Sequence, residues 1–327
     1  MANRDFPLGR PYPFVLRLFS IGLLSAIPLS RSATPSGGET MHWWKRFRML
    51  RANRRVNVED RFELIREAAA GTMSRFYMAR DRKTDSVVGL KLIDNEKIKK
   101  FEARFARLNK PSEGEIASQF VHPGIVQTLE YGKTTTGISY VLMEYLQGQG
   151  MNTLIHVQDA LFDRHLGDLL RQMAAALHAV HTAGYIHRDF CPRNLIVSQD
   201  RQTVKLIDFG LTLPDRAEFC RPGNRTGTPL YMSPEIVRRK VTDRRVDIFS
   251  FGVSAYEMYA GSLPWTASVV TGKAAMEHDK PATPIESHCP NLDRHLVDLI
   301  HRCIAADPAR RPQSMGEVEA ELARLHA

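Results

Sequence analysis

Three polar side chains near the middle of the chain have the types and order that phosphoryl transfer requires. Asp189 and Asn194 lie five positions apart in the stretch HRDFCPRN (187–194), and Asp208 follows after a short predicted β-hairpin. Carboxylate and amide oxygens of this kind hold Mg²⁺ against the phosphates of ATP, while another carboxylate orients the attacking hydroxyl. We assign the orienting role to Asp189 and the metal-binding role to Asn194 and Asp208.

A helix and a strand are predicted to position these residues. The helix is indicated by apolar residues at helical spacing, namely Leu166, Leu169, Leu170, Met173, Leu177 and Val180. It ends at a turn directly before His187, which we interpret as a core residue beneath the loop. The strand is Val204–Ile207, a short β-branched run that leads into Asp208-Phe209-Gly210.

The order of these motifs resembles that of the eukaryotic-type Ser/Thr protein kinases, in a divergent, bacterial-like form. The resemblance covers Phe62 to about Leu325. Further motifs that support it are GTPLYMSPE (227–235), DIFSFG (247–252) and DPARRP (307–312). It implies an α+β, bilobal protein-kinase fold with a small antiparallel β lobe carrying one helix and a larger, mainly helical lobe.

The same resemblance implies a nucleotide site with unusual features. Residues 69–77 occupy the place of the glycine-rich phosphate loop, but only Gly71 is retained, since Ala69 and Ser74 replace the outer glycines. We expect phosphate covering to be weakened and not abolished, because Ala and Ser are the smallest substitutes. The implied ATP-binding residues are Ala69, Gly71, Ser74, Phe76, Gly89, Lys91, Glu113, Met143, Glu144, Leu146 and Ile196.

Within this set Lys91 is expected to reach the α- and β-phosphates and to pair with a glutamate on a helix. Glu113 is the first choice for that glutamate, and Glu115 is the alternative on the opposite helix face. We predict that this helix begins near Pro111 and that Ile98–Leu108 forms a separate helix before it. Three further assignments concern adenine: Gly89 above the ring, Met143 as the gatekeeper, and the backbone of Glu144 and Leu146 as hydrogen-bonding partners.

One residue of the catalytic loop departs from the family. Cys191 stands where Ser/Thr kinases carry a lysine that neutralises the transferring phosphoryl group, and a thiol supplies no such charge. Arg193, four residues after Asp189, is a candidate substitute; a local salt bridge is the alternative role for it. A redox switch that pairs Cys191 with Cys220 is a third, less favoured hypothesis.

The activation segment, which we define as 208–235, determines the acceptor class. Thr228 is expected to contact Asp189 and to favour Ser/Thr hydroxyls, as the family's Ser/Thr members do. Arg188 would pair with a phosphorylated residue of the segment in a regulated kinase, yet Thr212 and Thr226 are poorly placed for that role. The resemblance also implies that Asp247 holds the catalytic-loop backbone and that Arg311 pairs with Glu235.

The charge distribution argues against a nucleic-acid-binding fold. Of the net charge of +9 over 327 residues, +7 lies in residues 1–61. We therefore predict a basic, disordered leader or linker (1–61) and a kinase domain (62–325) with an N-lobe (62–143), a hinge (144–148) and a C-lobe (149–325). The four cysteines lie far apart, without metal-site spacing, which is typical of a reducing compartment.

The leader contains two segments with alternative interpretations. Leu18–Leu29 is apolar and mimics a signal peptide, but it is too short to span a bilayer. Residues 42–51 combine aromatic and basic side chains, so weak contact with a membrane surface is an alternative to the favoured solvated linker. We expect a cytoplasmic location, with membrane association as the alternative.

The sequence thus predicts a protein kinase that uses ATP and Mg²⁺, with Mn²⁺ as an alternative ion, on Ser/Thr residues of proteins, itself included. The alternative is a pseudokinase that binds nucleotide or acts as a scaffold, which Ala69, Ser74 and Cys191 would favour. A small-molecule kinase of the aminoglycoside type is set aside because residues 227–235 carry a protein-kinase segment. The oligomeric state cannot be predicted from these patterns.

Overall fold

The structure is a computed structural model in which residues 50–51, 55–70, 74–265, 278 and 280–325 are described. Gly71, both interpreted leader segments apart from Leu50 and Arg51, and the rest of the leader before residue 50 lie outside these residues. Among the described helices, none has the length and apolar character needed to cross a membrane.

The secondary structure follows the predicted division into a β-rich first part and a helical second part. The strands are β1 (Leu50–Arg51), β2 (Phe62–Ala70), β3 (Ser74–Asp81), β4 (Ser86–Ile93), β5 (Thr128–Lys133), β6 (Ser139–Glu144), β7 (Gly148–Gly150), β8 (Tyr185–Ile186), β9 (Leu195–Ser198), β10 (Val204–Leu206) and β11 (Leu213–Pro214). The helices are α1 (Val58–Arg61), α2 (Asn95–Glu102), α3 (Glu113–Ala117), α4 (Met151–Val157), α5 (Ala160–Asp163), α6 (Leu166–Thr182), α7 (Pro234–Val237), α8 (Arg245–Ala260), α9 (Arg294–Cys303) and α10 (Met315–Arg324).

The small lobe is one twisted sheet with the strand order β1-β5-β6-β4-β3-β2. All its pairings are antiparallel except that of β1 with β5. The central strand β4 places Lys91 opposite Phe76 on one side and Val141 on the other. Lys91 therefore emerges from the middle of the sheet, where neighbouring strands hold its backbone on both sides.

The residues just before β2 contact the small-lobe sheet. Arg61, assigned above to a disordered linker, binds the buried carboxylates of Asp81 and Glu130 at 2.8 and 2.7 Å. Asn57 caps α1, and the amide of Val56 donates to the carbonyl of Lys133. The last residues of the predicted linker therefore pack against the small-lobe sheet, and the domain boundary after residue 61 stays a prediction.

The helices between β4 and β5 also differ from the prediction in their bounds. The helix predicted at Ile98–Leu108 begins at Asn95, because Asp94 caps its N-terminus, and ends in a 3₁₀ turn at Ala103–Phe105. The glutamate-bearing helix α3 follows Pro111, as expected, but it is only five residues long. The 95–105 segment before it contacts the activation segment through the rings of Phe105 and Phe219.

The large lobe is built around α6 and α8. The predicted stripe of α6 is buried at Leu169, Leu170, Met173, Leu177 and Val180, and Leu166 is partly buried beside it. Helix α8 is buried on nearly all sides and joins the same core. These two helices position the loop that follows β8.

Candidate active site

Lys91 joins the two lobes through two carboxylates. Its Nζ lies 2.5 Å from Oε1 of Glu113 and 2.9 Å from Oδ1 of Asp208, and the lysine side chain is 3% exposed. Glu113 comes from α3 in the small lobe and Asp208 from the start of the activation segment. Glu113 and Asp208 are 22 and 117 positions from Lys91 in the chain, so tertiary packing is what brings this cluster together.

The charges of Lys91 and Asp208 stabilise each other. Burial alone would lower the pKa of Lys91, but the carboxylates of Asp208 and Glu113 raise it above its ordinary value. Burial likewise opposes ionisation of Asp208, yet Lys91 and the amide of Gly210 hold the pKa of that carboxyl below its usual range. Lys91 is thus a fixed cation and Asp208 a fixed anion at neutral pH.

The start of α3 explains why Glu113 and not Glu115 faces Lys91. Ser112 and Glu115 form a capping box, in which the Glu115 side chain accepts from the Ser112 amide at 2.8 Å. This bond holds Glu115 at the exposed end of the helix. Gly114 packs so closely on Tyr131 that a Cβ would lie 2.4 Å from the Tyr131 Cβ, which fixes the rotation of α3 and turns Glu113 inward.

The catalytic loop, residues 187–194, is held in place by Asp247 of α8. Its two carboxylate oxygens accept the backbone amides of His187 and Arg188, each at 2.7 Å, as the sequence predicts. Arg188 adopts a left-handed conformation with φ of 69°, which costs energy and is held by these bonds. His187 is fully buried and packs edge-on against Phe209 with ring centroids 5.4 Å apart, so its role is structural.

Asp189 is oriented by bonds to both of its oxygens. Oδ1 accepts from the amide and the hydroxyl of Thr228 at 2.7 and 2.8 Å, so the contact predicted for Thr228 is present. Oδ2 accepts from Nδ2 of Asn194 at 3.1 Å. Burial raises the pKa of the Asp189 carboxyl, and the Thr228 hydrogen bonds oppose that rise. A raised pKa brings a carboxylate closer to the range in which it is useful as a proton acceptor.

A pH dependence follows from this environment. As a proton acceptor Asp189 must be ionised, so activity should fall as the pH drops through its raised pKa, at a higher pH than for an ordinary aspartate. Thr228→Val removes the hydroxyl bond that lowers this pKa but keeps the amide bond. We therefore expect the acid limb of the kcat/KM profile to move to higher pH in this variant. An unmoved or lower acid limb in Thr228→Val would contradict the assignment.

The metal-binding candidates fit a hard divalent cation. Nδ2 of Asn194 is occupied by bonds to the backbone oxygen and the carboxylate of Asp189, which leaves the amide oxygen as its ligand atom. Lys91 and the Gly210 amide both bind Oδ1 of Asp208, which leaves Oδ2. One carboxylate oxygen and one amide oxygen are the donors that Mg²⁺ takes beside phosphate.

The residues predicted to form the adenine side lie on β4, β6 and β9 and in the segment that follows β6. Met143 is buried, and a Cβ at Gly89 would lie 2.9 Å from its Cγ, so the missing methyl of Gly89 makes room for the Met143 side chain. Glu144 ends β6, and its side chain binds Lys205 and the Gln127 amide. Leu146, in the segment between β6 and β7, and Ile196 of β9 are both partly buried.

The structure describes only some of the residues that are predicted to contact the phosphates. Ala69 is a strand residue of β2 paired with Phe76, not part of the turn itself. Ser74 is buried at the start of β3, and the Phe76 ring lies 5.3 Å from the Lys91 ammonium. The turn between the strands, with Gly71, lies outside the described residues.

Cys191 and Arg193 have opposite environments. Cys191 is fully buried, its Sγ lies 3.8 Å from the Thr228 hydroxyl, and burial raises the pKa of its thiol to about 12. Cys191 and Cys220 are both free in this structure, and the raised pKa of the buried Cys191 thiol opposes the redox-switch hypothesis, because the thiolate is the reactive form of cysteine. Arg193 is exposed and makes no ion pair with a described residue. Its alternative role, a local salt bridge, therefore has no support among these residues.

Two contributors were missed by the sequence analysis. Phe120 stacks on Phe209 with centroids 4.8 Å apart and so supports the Asp208 turn from the small-lobe side. Phe120 lies three residues beyond the end of α3, so the period of that helix does not indicate this contact. Asn224 is buried between Arg188 and Arg104, and nothing in its local sequence indicates this contact.

The comparisons with known proteins agree with this geometry. Residues 62–321 match the family described as protein kinase domain. The chain is 30% identical over 267 residues to the probable serine/threonine-protein kinase CPE1738 of Clostridium perfringens, covering 81% of this chain and 38% of that protein. It is 32% identical over 264 residues to serine/threonine-protein kinase pkn3 of Myxococcus xanthus, covering 77% and 47%. For serine/threonine-protein kinase PknB of Mycolicibacterium smegmatis the identity is 29% over 280 residues, covering 83% and 44%. The chain thus spans less than half the length of these relatives.

Proposed function

This chain belongs to the protein kinase domain family, and on that premise we propose that it transfers the γ-phosphate of ATP to Ser and Thr hydroxyls of proteins, itself included. Protein kinases use ATP, a divalent metal and protein substrates; Mg²⁺ is the ion we propose here. The observation that carries the proposal is the Lys91 ammonium held between Glu113 and Asp208 while Asp189 is oriented by Thr228 in the same cleft.

Each of these residues has a distinct part in the proposed reaction. Asn194 and Asp208 would hold the divalent ion, which when bound neutralises charge on the phosphates. Lys91 would bind the α- and β-phosphate oxygens and keep them aligned. Asp189 would orient the acceptor hydroxyl and take its proton, with Thr228 holding the carboxylate in place. Arg193, exposed and unpaired among the described residues, would supply the positive charge that Cys191 lacks.

A pseudokinase remains the second candidate function. Ala69, Ser74 and Cys191 each weaken a contact to the phosphates that the family usually makes. A nucleotide-binding scaffold would show thermal stabilisation by ATP without phosphate transfer. The complete set of Lys91, Glu113, Asp189, Asn194 and Asp208 favours the active enzyme, because a chain released from catalysis has no reason to keep both metal-binding oxygens.

The first test is transfer of the γ-phosphate from ATP and Mg²⁺ to the protein itself and to a generic Ser/Thr acceptor. We expect transfer by the full chain and its loss, by about 10³-fold or more, in Asp208→Ala, since a metal-held phosphoryl group accounts for several kcal/mol of the barrier. Asp298→Ala, which removes an exposed aspartate of α9, is the matched control and should keep full activity.

Two results would overturn the proposal in different ways. Transfer that persists in Asp208→Ala would come from a contaminating kinase. Nucleotide binding without transfer in the wild type, in the presence of Mg²⁺ and Mn²⁺, would establish the pseudokinase instead.

The charge of Arg193 predicts the kind of acceptor sequence. An exposed guanidinium four residues after Asp189, without an ion pair to any described residue, repels arginines upstream of the acceptor and attracts carboxylates. We expect a neutral or acidic preference on a peptide array, and a shift towards upstream arginine in Arg193→Glu. Strong selection for upstream arginine by the wild type would contradict this prediction. The same dependence on ATP leads us to propose that the kinase domain works in the cytoplasm.

A further inference from the structure

Residues 215–245 carry an excess of positive charge that the rest of the domain lacks. They contain eight Arg and Lys residues against four Asp and Glu, a balance of +4, whereas the other residues of 62–327 balance at −2. The stretch includes most of the activation segment and the turn between α7 and α8. Such a concentration of one sign of charge on a nearly neutral domain indicates a surface that binds the opposite charge.

The acidic residues of this stretch are already used in ion pairs. Each of the four has an arginine partner: Asp215 with Arg244, Glu218 with Arg216, Glu235 with Arg311, and Asp243 with Arg245. Four other cations of the stretch are exposed and form no ion pair with any residue that the structure describes: Arg221, Arg225, Arg239 and Lys240. Their charges are therefore available to an anion from outside the domain.

Two backbone hydrogen bonds bring these four cations together. The amide of Gly223 donates to the carbonyl of Arg239 at 3.1 Å, and the amide of Thr242 donates to the carbonyl of Cys220 at 3.0 Å. The first two cations therefore lie on a turn that packs against the turn bearing the other two. Like charges on adjacent turns repel one another, so an anion that binds between them relieves that repulsion.

A fifth cation comes from the small lobe. Arg104, in the 3₁₀ turn after α2, is exposed and donates to Oδ1 of Asn224 at 3.0 Å. Asn224 directly precedes Arg225, so the charge of Arg104 adds to the same region. We call these five residues the basic surface: Arg104, Arg221, Arg225, Arg239 and Lys240.

The basic surface lies next to the residues proposed to act on the acceptor hydroxyl. Arg225 is three residues before Thr228, whose amide and hydroxyl both bind Oδ1 of Asp189. The Cα atoms of Arg225 and Thr228 are therefore at most about 11 Å apart. An extended peptide advances about 3.3 Å per residue. Carboxylates within about four residues of the acceptor are thus in reach of the basic surface.

We propose that the basic surface binds acidic residues of the protein substrate that flank its Ser or Thr acceptor. This inference rests on the proposed kinase function, and it adds a recognition surface on the activation segment to the preference assigned above to Arg193 of the catalytic loop. A substrate is favoured over an anionic membrane as the partner because the surface adjoins the site that the acceptor must reach. Since the five cations are exposed, their contribution should weaken as the salt concentration rises.

The test compares two acceptor peptides, one flanked by Asp and Glu and the other by Asn and Gln at the same positions. The full chain is measured as wild type, Arg225→Glu, Lys240→Glu and Arg294→Glu. The last is the matched control, since it reverses the charge of an exposed α9 arginine that also forms no ion pair with a described residue. We expect the wild type and the control to favour the acidic peptide in kcat/KM by about tenfold, chiefly through KM. Each of the other two variants should lower that ratio by about threefold or more.

Binding of the same two peptides, labelled and followed by fluorescence anisotropy, needs no phosphate transfer and so separates this inference from the proposed kinase function. Equal binding of both peptides by the wild type, or an acidic preference that Arg225→Glu and Lys240→Glu leave unchanged, would overturn the inference. Loss of binding to phosphatidylserine vesicles in these two variants, with the peptide preference intact, would assign the surface to a membrane instead. A preference for the acidic peptide without transfer from any preparation would refute the kinase function and leave the basic surface standing.

Discussion

Asp189→Asn is expected to transfer phosphate about 10²- to 10⁴-fold more slowly than the wild type while binding nucleotide normally, because an amide cannot accept the hydroxyl proton. The replacement keeps the size of the side chain, and its oxygen still accepts from the amide and hydroxyl of Thr228. Lys91, Asn194 and Asp208, which form the proposed nucleotide and metal contacts, are unchanged. The loss should therefore appear in kcat with little change in the dissociation constant for ATP.

The measurement is single-turnover transfer from ATP, combined with nucleotide titration and thermal unfolding of the same samples. Asp200→Asn is the matched control, since it makes the same change at an exposed position in the turn between β9 and β10. Near-wild-type transfer by Asp189→Asn would remove Asp189 as the proton acceptor. A large loss of nucleotide binding would indicate a structural role instead.

Arg311→Met is expected to lower the free energy of unfolding by about 3–5 kcal/mol, because it leaves Glu235 buried without its counter-charge. The Arg311 side chain is fully buried and binds both oxygens of Glu235, at 2.7 and 2.9 Å. It also donates to the carbonyls of Ala305, Ala306 and Arg245. Glu235 lies at the end of the activation segment, so loss of the pair should reduce activity as well as stability.

Urea unfolding tests this prediction, with Arg302→Met as the control. Arg302 pairs with Asp298 and Glu321 but is 36% exposed, so its loss should cost about 1 kcal/mol or less. The double variant Arg311→Met, Glu235→Gln should recover part of the lost stability, since it no longer contains a lone buried carboxylate. Equal losses of unfolding free energy for the Arg311 and Arg302 substitutions would show that the buried Glu235 pair stabilises the fold no more than an exposed ion pair does.

The residues that lie close together in sequence were predicted well. Asp189, Asn194 and Asp208 sit on one loop and one hairpin, so their spacing alone brings them together once that hairpin forms. The stripe of α6 follows from the period of the helix. The roles of Lys91 and of the adenine-side residues came from resemblance. The pairings of β4 place Lys91 opposite Phe76 and Val141, and the adenine contacts stay a prediction.

The contacts between distant segments could not be predicted in the same way. The choice of Glu113 over Glu115 depends on a capping box and on Gly114 against Tyr131, neither of which a helical period specifies. Composition places Arg61 in the solvated basic tail, and only the structure shows its ion pairs with Asp81 and Glu130. The burial of Cys191, which opposes its redox role, is likewise not indicated by the loop sequence.

By itself the sequence determined the kinase motifs, their order and the residue types available for metal, proton and phosphate. Only the tertiary structure decided which glutamate meets Lys91, that Arg61 packs against the small-lobe sheet, and that Asn224 lies between Arg188 and Arg104. The physical reason is that residue type and periodicity report on local backbone and on chemistry, whereas partners far apart in the chain are selected by packing. An asparagine in a loop has the same sequence signature whether it faces water or fills the space beside a buried arginine.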